Sequence, residues 1–74
     1  MDEILISGEM IRLGQLLKLA GVVGSGAEGK ALLGSAGVTV NGEPELRRGR
    51  QLHPGDVVSA GGRELRVGSD PGRS

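Results

Sequence analysis

Gly37-Val38-Thr39-Val40-Asn41-Gly42-Glu43 is the stretch that decides the architecture of this chain. Val38 and Val40 alternate with Thr39 at the period of a half-buried strand, and Asn41-Gly42 supplies the two residues that tolerate positive φ in a tight hairpin turn. The chain then returns through Glu43 to Leu46. Further on, His53-Pro54-Gly55-Asp56 is a turn in which proline presets φ, and it feeds a strand at Val57-Val58-Ser59-Ala60. Gly61-Gly62 makes a second two-residue loop. The return over Arg63-Glu64-Leu65-Arg66-Val67 places Leu65 and Val67 on one side and Glu64 and Arg66 on the other. After Gly68 the residues Ser69 to Ser74 include no apolar side chain. Burial there cannot offset the entropy of ordering, so a domain over 1–68 and a disordered tail over 69–74 are expected.

Toward the N-terminus the hydrophobic period changes. In Ser25-Gly26-Ala27-Glu28 the Ser25 hydroxyl is placed to accept from the Glu28 amide, while the Glu28 carboxylate reaches back to the Ser25 amide, a capping box. The helix that starts there runs through Lys30, Ala31, Leu32 and Leu33 to about Ser35, with Ala36-Gly37 as its exit. Leu13, Leu16, Leu17 and Ala20 stand at i, i+3, i+4 and i+7, one apolar stripe of a helix over roughly Arg12 to Ala20, stopped by Gly21. Gly14 costs that helix about 1 kcal/mol relative to alanine, which predicts close contact with another backbone. Glu3 to Ser7 reads as a strand with Ile4 and Ile6 on one face.

Composition bounds what such a domain can do. A chain of 74 residues allows one small core, and the absence of cysteine removes disulfide staples and thiolate metal sites. No basic-then-apolar leader and no long apolar run is present, so a soluble, cytoplasmic protein is expected. The chain contains no Phe, Tyr or Trp, which removes the stacking platforms of the common single-strand-binding sheets. Glycine supplies 15 residues, interrupted by clear apolar periodicity, and therefore reads as turn and close-packing chemistry.

Formal net charge is zero, but the charge is segregated. Residues 1–45 carry Arg12, Lys18 and Lys30 against Asp2, Glu3, Glu9, Glu28, Glu43 and Glu45. Residues 46–74 carry Arg47, Arg48, Arg50, Arg63, Arg66 and Arg73 against Asp56, Glu64 and Asp70. Leu46-Arg47-Arg48-Gly49-Arg50 concentrates three guanidinium groups around a glycine that lets backbone approach a ligand, and arginine forks match phosphate oxygens. The competing reading is a solvated loop whose arginines pair with Glu43 and Glu45.

Gly24-Ser25-Gly26-Ala27-Glu28-Gly29-Lys30 spells the glycine and lysine spacing of a nucleotide P-loop. Ala31 stands where Ser or Thr would hold magnesium, and a helix precedes the string where a strand is required. A glycine-lined helix start with Ser25 and Lys30 nearby remains, suited to an anion such as a nucleic-acid phosphate. His53, the single histidine, has no ligands at metal spacing and reads as a turn residue. No nucleophile motif is present, so no enzyme activity, cofactor or metal is expected.

In order, Ile11-Arg12-Leu13-Gly14-Gln15-Leu16-Leu17-Lys18-Leu19-Ala20, Ser25-Gly26-x-x-Gly29-Lys30-x-Leu32-Leu33, Gly37-Val38-x-Val40-Asn41-Gly42 and Pro54-Gly55-Asp56 resemble the ribosomal protein S-four-like RNA-binding domain. The leading strand, the Leu-Lys-Leu-Ala helix and the Arg47-Arg48-Gly49-Arg50 run are similar to the small stand-alone bacterial members, and the resemblance covers about residues 3–67. It implies an α+β fold, two short helices packed on a small, bent, mainly antiparallel sheet, in agreement with the order of elements read from the residues. It further implies a non-catalytic module for structured RNA of the ribosomal or transfer RNA class, with the ribosome as a further partner. RNA contacts would fall on Ser25, Gly26 and Lys30, on Arg12 and Lys18, and on Arg47, Arg48 and Arg50. Ser25 and the following amides would hold a phosphate, the lysines would act as point charges, and the arginines would bind phosphates or stack on bases. A monomer without a membrane partner is expected. The alternative is a protein-interaction adaptor on the same fold, its arginines meeting an acidic partner. About four neutralised phosphates would give a log-log salt slope of roughly −3 at about 0.7 per phosphate for single strands.

Overall fold

The computed structural model describes residues 1–70. Its elements are β1 (Asp2–Ile6), β2 (Ile11–Arg12), α1 (Leu13–Leu19), α2 (Gly26–Gly34), β3 (Val38–Val40), β4 (Glu43–Pro44), β5 (Gln51–Leu52), β6 (Val57–Ala60) and β7 (Arg63–Ser69). Five strands form one sheet in the order β1-β7-β6-β3-β4, and β2 pairs with β5 in a separate ribbon. All pairings are antiparallel except β1 with β7, where Asp2 lies opposite Leu65 and Ile6 opposite Ser69. This is the expected α+β arrangement of two helices with a mainly antiparallel sheet.

Packing follows the periodicities of the sequence. Leu13, Leu16 and Leu17 of α1 and Leu65 of β7 are fully buried, and they share one aliphatic cluster with Leu33, Val38, Val40, Leu52, Val58 and Val67. Each such side chain contributes about 1.5–3 kcal/mol by leaving water, which is how a short chain without aromatic rings holds together. Glu64 and Arg66 face solvent, as alternation requires.

Two-residue turns close both hairpins. Asn41 has φ 52° and Gly42 φ 86°, and Gly61 and Gly62 have φ 58° and 80°, the doubly left-handed geometry that matches strand twist. Asn41 also joins its turn to the Pro54-Gly55-Asp56 turn. Its side-chain Oδ1 accepts from the Val57 amide at 2.9 Å, and its Nδ2 donates to Asp56 Oδ1 at 3.2 Å. Asp56 Oδ2 in turn accepts from the His53 amide at 2.8 Å, so His53 is a turn residue. Partial burial pushes the Asp56 carboxyl up, but the hydrogen bonds from His53 and Asn41 outweigh it and hold the group below its ordinary range.

Four local expectations need adjustment. The return strand stops at Pro44, which lacks an amide donor; the Glu45 amide still donates to Val38 O at 3.1 Å, and the chain leaves the sheet after it. The Glu28 carboxylate reaches back past Ser25 to the Gly24 amide at 2.8 Å, while Ser25 Oγ accepts from the Glu28 amide as expected. The left-handed residue that ends α2 is Ala36, with φ 59°, one position before the glycine. The Ala36 amide donates to Leu33 O and the Gly37 amide to Leu32 O, the same closing pattern that Gly21 and Val22 make on α1. Finally, Ser69 still belongs to β7, and the Asp70 amide donates to Ile6 O at 3.0 Å, because the parallel partner β1 extends the pairing past Gly68. The remainder of the expected tail, 71–74, lies outside the described residues.

Candidate nucleic-acid interface

The start of α1 has no acceptors of its own for its first amides, and the arginine-rich loop supplies them. Leu13 N donates to Arg50 O at 2.9 Å and Gly14 N to Arg48 O at 3.0 Å, while β2 and β5 pair Ile11 with Leu52 and Arg12 with Gln51. Gly14 packs directly against the loop: a Cβ on it would be in ordinary van der Waals contact with Arg48 Cβ at 3.5 Å and Arg48 O at 3.6 Å. The expected contact with another backbone is therefore the contact with this loop.

Inside the loop one carboxylate organises the chain. Glu45 is 6% exposed, and its Oε2 accepts from the Leu46 amide, the Arg47 amide and Arg47 Nε, each at 3.1 Å. Its Oε1 accepts from Arg47 Nη2 at 3.3 Å and from Arg50 Nη1 at 2.8 Å. The Arg47 side-chain bonds, followed by the Arg50 bond and the Arg47 amide, lower the Glu45 pKa to about 2 against an opposing push from burial. Of the two acids considered as arginine partners, Glu45 takes the role and Glu43 remains exposed on β4.

Arg48 points elsewhere. Its guanidinium makes no ion pair or hydrogen bond to any described side chain, and its Nη1 lies 3.8 Å from where a Cβ on Gly26 would stand. It thus spans an open groove of about 400 Å³ between the start of α2 and the face of α1. Arg12, Lys18 and Arg48 supply the positive charge of the walls, Ser25 and Gly26 the helix start, and Gly14, Gln15, Gly29 and Gly49 the remaining surface. Arg12 is steadied by Nη1 donating to Gly49 O at 3.2 Å, and its amide donates to Gln15 Oε1 at 3.1 Å. The amides of Gly26 and Ala27, both exposed residues of the first turn, have no acceptor within the helix.

The groove therefore gathers Arg12, Lys18, Ser25, Gly26 and Arg48 of the residues singled out in the sequence. Lys30 is exposed on α2 and is not part of the groove wall, and Arg47 and Arg50 are engaged by Glu45. Gly49 and Gly14 carried a sequence signal as points of close approach. Glu45 carried a signal as an arginine partner, whereas its bonds to the loop amides and the place of Gln15 and Gly29 in the groove wall depend on how the loop folds back on α1. The string resembling a P-loop is a helix cap: Glu28 occupies the Gly24 amide, and a helix and turn precede it. Among the described residues no three His, Asp or Glu side chains gather as metal ligands, and no helix is long and apolar enough to cross a membrane.

Known proteins share both the sequence and the shape. Over 61 residues the chain is 54% identical to the probable ribosome maturation protein RlbA of Bacillus subtilis (strain 168), covering 82% of this chain and 86% of that one. The crystal structure of the 30S ribosomal protein S4e from Thermoplasma acidophilum superposes with a TM-score of 0.60 at 19% identity, covering 80% of this chain but 31% of that one, a likeness of fold. The S4 domain family model matches residues 4–68, from β1 through the helices, the groove and both hairpins to the end of the sheet, and the chain belongs to the S4 domain family.

Proposed function

We propose that this protein is a non-catalytic module that binds structured RNA of the ribosomal class in the cytoplasm, by shape and backbone charge more than by base sequence. The single observation that carries the reading is the groove in which Arg12, Lys18 and Arg48 converge on the glycine-lined start of α2. Cations set around exposed helix amides suit phosphate oxygens, and an arginine plane can also stack on an unpaired base. Membership of the S4 domain family and the names of the two relatives, one for ribosome maturation and one for the small ribosomal subunit, support ribosomal RNA as the partner.

Charge sets the expected strength. With Arg47 and Arg50 engaged by Glu45 and Lys30 outside the groove, three cations face a ligand there. The expected log-log salt slope is then about −2 at about 0.7 per phosphate, shallower than the −3 or so expected from sequence for about four phosphates. Fluorescence anisotropy of a labelled structured RNA, titrated with protein at several salt concentrations beside matched duplex DNA, tests the reading. Salt-sensitive binding that prefers RNA supports it. Equal and negligible binding to both nucleic acids would move the assignment to a protein-interaction adaptor.

A further inference from the structure

We infer that Glu45 is a positioning residue for RNA selection: by holding Arg47 and Arg50 in one cluster it leaves Arg48 as the free guanidinium of the loop and limits how many phosphates the loop engages. The inference rests on the RNA-binding reading of the groove and concerns a residue that does not line it.

The geometry explains why the partition is stable in the presence of phosphate. Both carboxylate oxygens of Glu45 are occupied by two backbone amides and two guanidinium groups, and the residue is 6% exposed. An RNA phosphate that drew the Arg47 side chain away would remove two of the five hydrogen bonds to a buried carboxylate, which opposes the exchange. This matters because the Arg47 side chain is 75% exposed and would otherwise be the easiest cation of the loop to recruit. Among the described residues Arg48 removes no partner from any acid when it meets a ligand. Its direction is set by the same loop, whose Arg48 and Arg50 carbonyls cap α1.

The consequence is selectivity. Three loose arginines would bind any polyanion, with an affinity dominated by counterion release and indifferent to shape. One guanidinium held across a groove beside a helix start binds only a backbone that can enter the groove. The carboxylate thus trades non-specific affinity for discrimination by geometry.

The test compares Glu45→Gln, Arg47→Gln and Arg48→Gln in the full chain, using a labelled RNA hairpin and a duplex DNA of equal length across a salt series. Arg48→Gln is expected to flatten the RNA salt slope by about 0.7, one phosphate contact, and Arg47→Gln to leave it at the wild-type value. Glu45→Gln, with its fold checked by far-UV circular dichroism, is expected to steepen the slope by about 0.7–1.4 as one or two guanidinium groups are released, and to narrow the preference for RNA over DNA. A purely structural role would weaken both ligands without steepening either slope. Equal flattening by Arg47→Gln and Arg48→Gln overturns the inference, as does a folded Glu45→Gln with the wild-type slope and preference. If Glu45→Gln does not fold, the two arginine variants decide the matter between them. Failure of the wild-type protein to bind RNA overturns the RNA reading and this inference together; wild-type binding with indistinguishable arginine variants overturns the inference alone.

Discussion

Two carboxylates each organise a segment of this molecule that lacks regular structure, and they do so with different partners. Asp56 accepts from neutral groups, the His53 amide and Asn41 Nδ2, and thereby locks the turn before β6 to the turn after β3. Glu45 accepts from two guanidinium groups and two amides, and thereby shapes the loop that caps α1. The neutral arrangement settles how strands are joined, while the charged one settles which cations face solvent at the groove. An acid bonded to amides serves topology, and an acid bonded to arginines shapes the surface a ligand meets.

Acidification breaks both sides of the comparison at once and should have the largest effect. Both carboxyls have folded pKa values below their ordinary values of 4.5 for Glu45 and 3.8 for Asp56. Their contribution to stability is therefore complete above those values and is lost as pH falls through the lowered pKa of each, which for Glu45 is about 2. Thermal melts followed by far-UV circular dichroism should show a constant midpoint from about pH 7 to 5 and a decline below it, and Glu45→Gln should make the decline shallower.

Gly42→Val acts on the topological side alone. A β-branched residue at φ 86° strains the turn, and a loss of about 1–3 kcal/mol is expected in urea unfolding. Unchanged stability would contradict the role of the Asn41-Gly42 turn. Arg48→Ala acts on the other side alone. RNA affinity should fall about tenfold, or ~1.4 kcal/mol, while stability stays within about 0.5 kcal/mol, since Arg48 has no ion pair with any described residue. A large loss of stability would place Arg48 in the structural set with Arg47.

Ala36→Gly is the smallest expected effect and sharpens the contrast between turn geometry and charge. It relieves the left-handed alanine at the end of α2, where φ is 59°, and should raise stability by about 0.5–1 kcal/mol without altering RNA binding. Denaturant midpoints and the anisotropy titration together check both halves of that expectation.

The topological side was largely legible in the sequence and the charged side was not. Asn41-Gly42, the Leu13-Leu16-Leu17 stripe and the alternation of Leu65 and Val67 are local signals, each complete within a few residues, and all have the expected structure. The pairing of β2 with β5 involves two residues from each strand, too few to show a period. Arg47, Arg48 and Arg50 are alike in sequence, and they are told apart only by the burial of Glu45, which depends on a loop folded back across α1. Ala36-Gly37 was legible as the exit of α2, but not that the left-handed residue is the alanine, because glycine is the usual occupant of that position. The candidate groove was therefore legible in residue type, through Arg12, Lys18, Ser25 and Gly26, but not in the choice among the arginines.

The parallel pairing of β1 with β7 also governs when the sheet can be completed. Asp2 waits for Leu65 and Ile6 for Ser69, so β1 stays unpaired in this sheet until β7 exists. Arg63 reinforces the same closure, donating to Ala20 O at 2.9 Å and to Asp2 Oδ2 at 3.0 Å. A nascent chain that stops short of residues 63–69 lacks one of the two neighbours of β6 and the single neighbour of β1, and contacts this distant in sequence are slow to form. Acquisition of the native sheet thus waits for residues 63–69, with the α1–α2 region and the β3–β4 hairpin available to form before it.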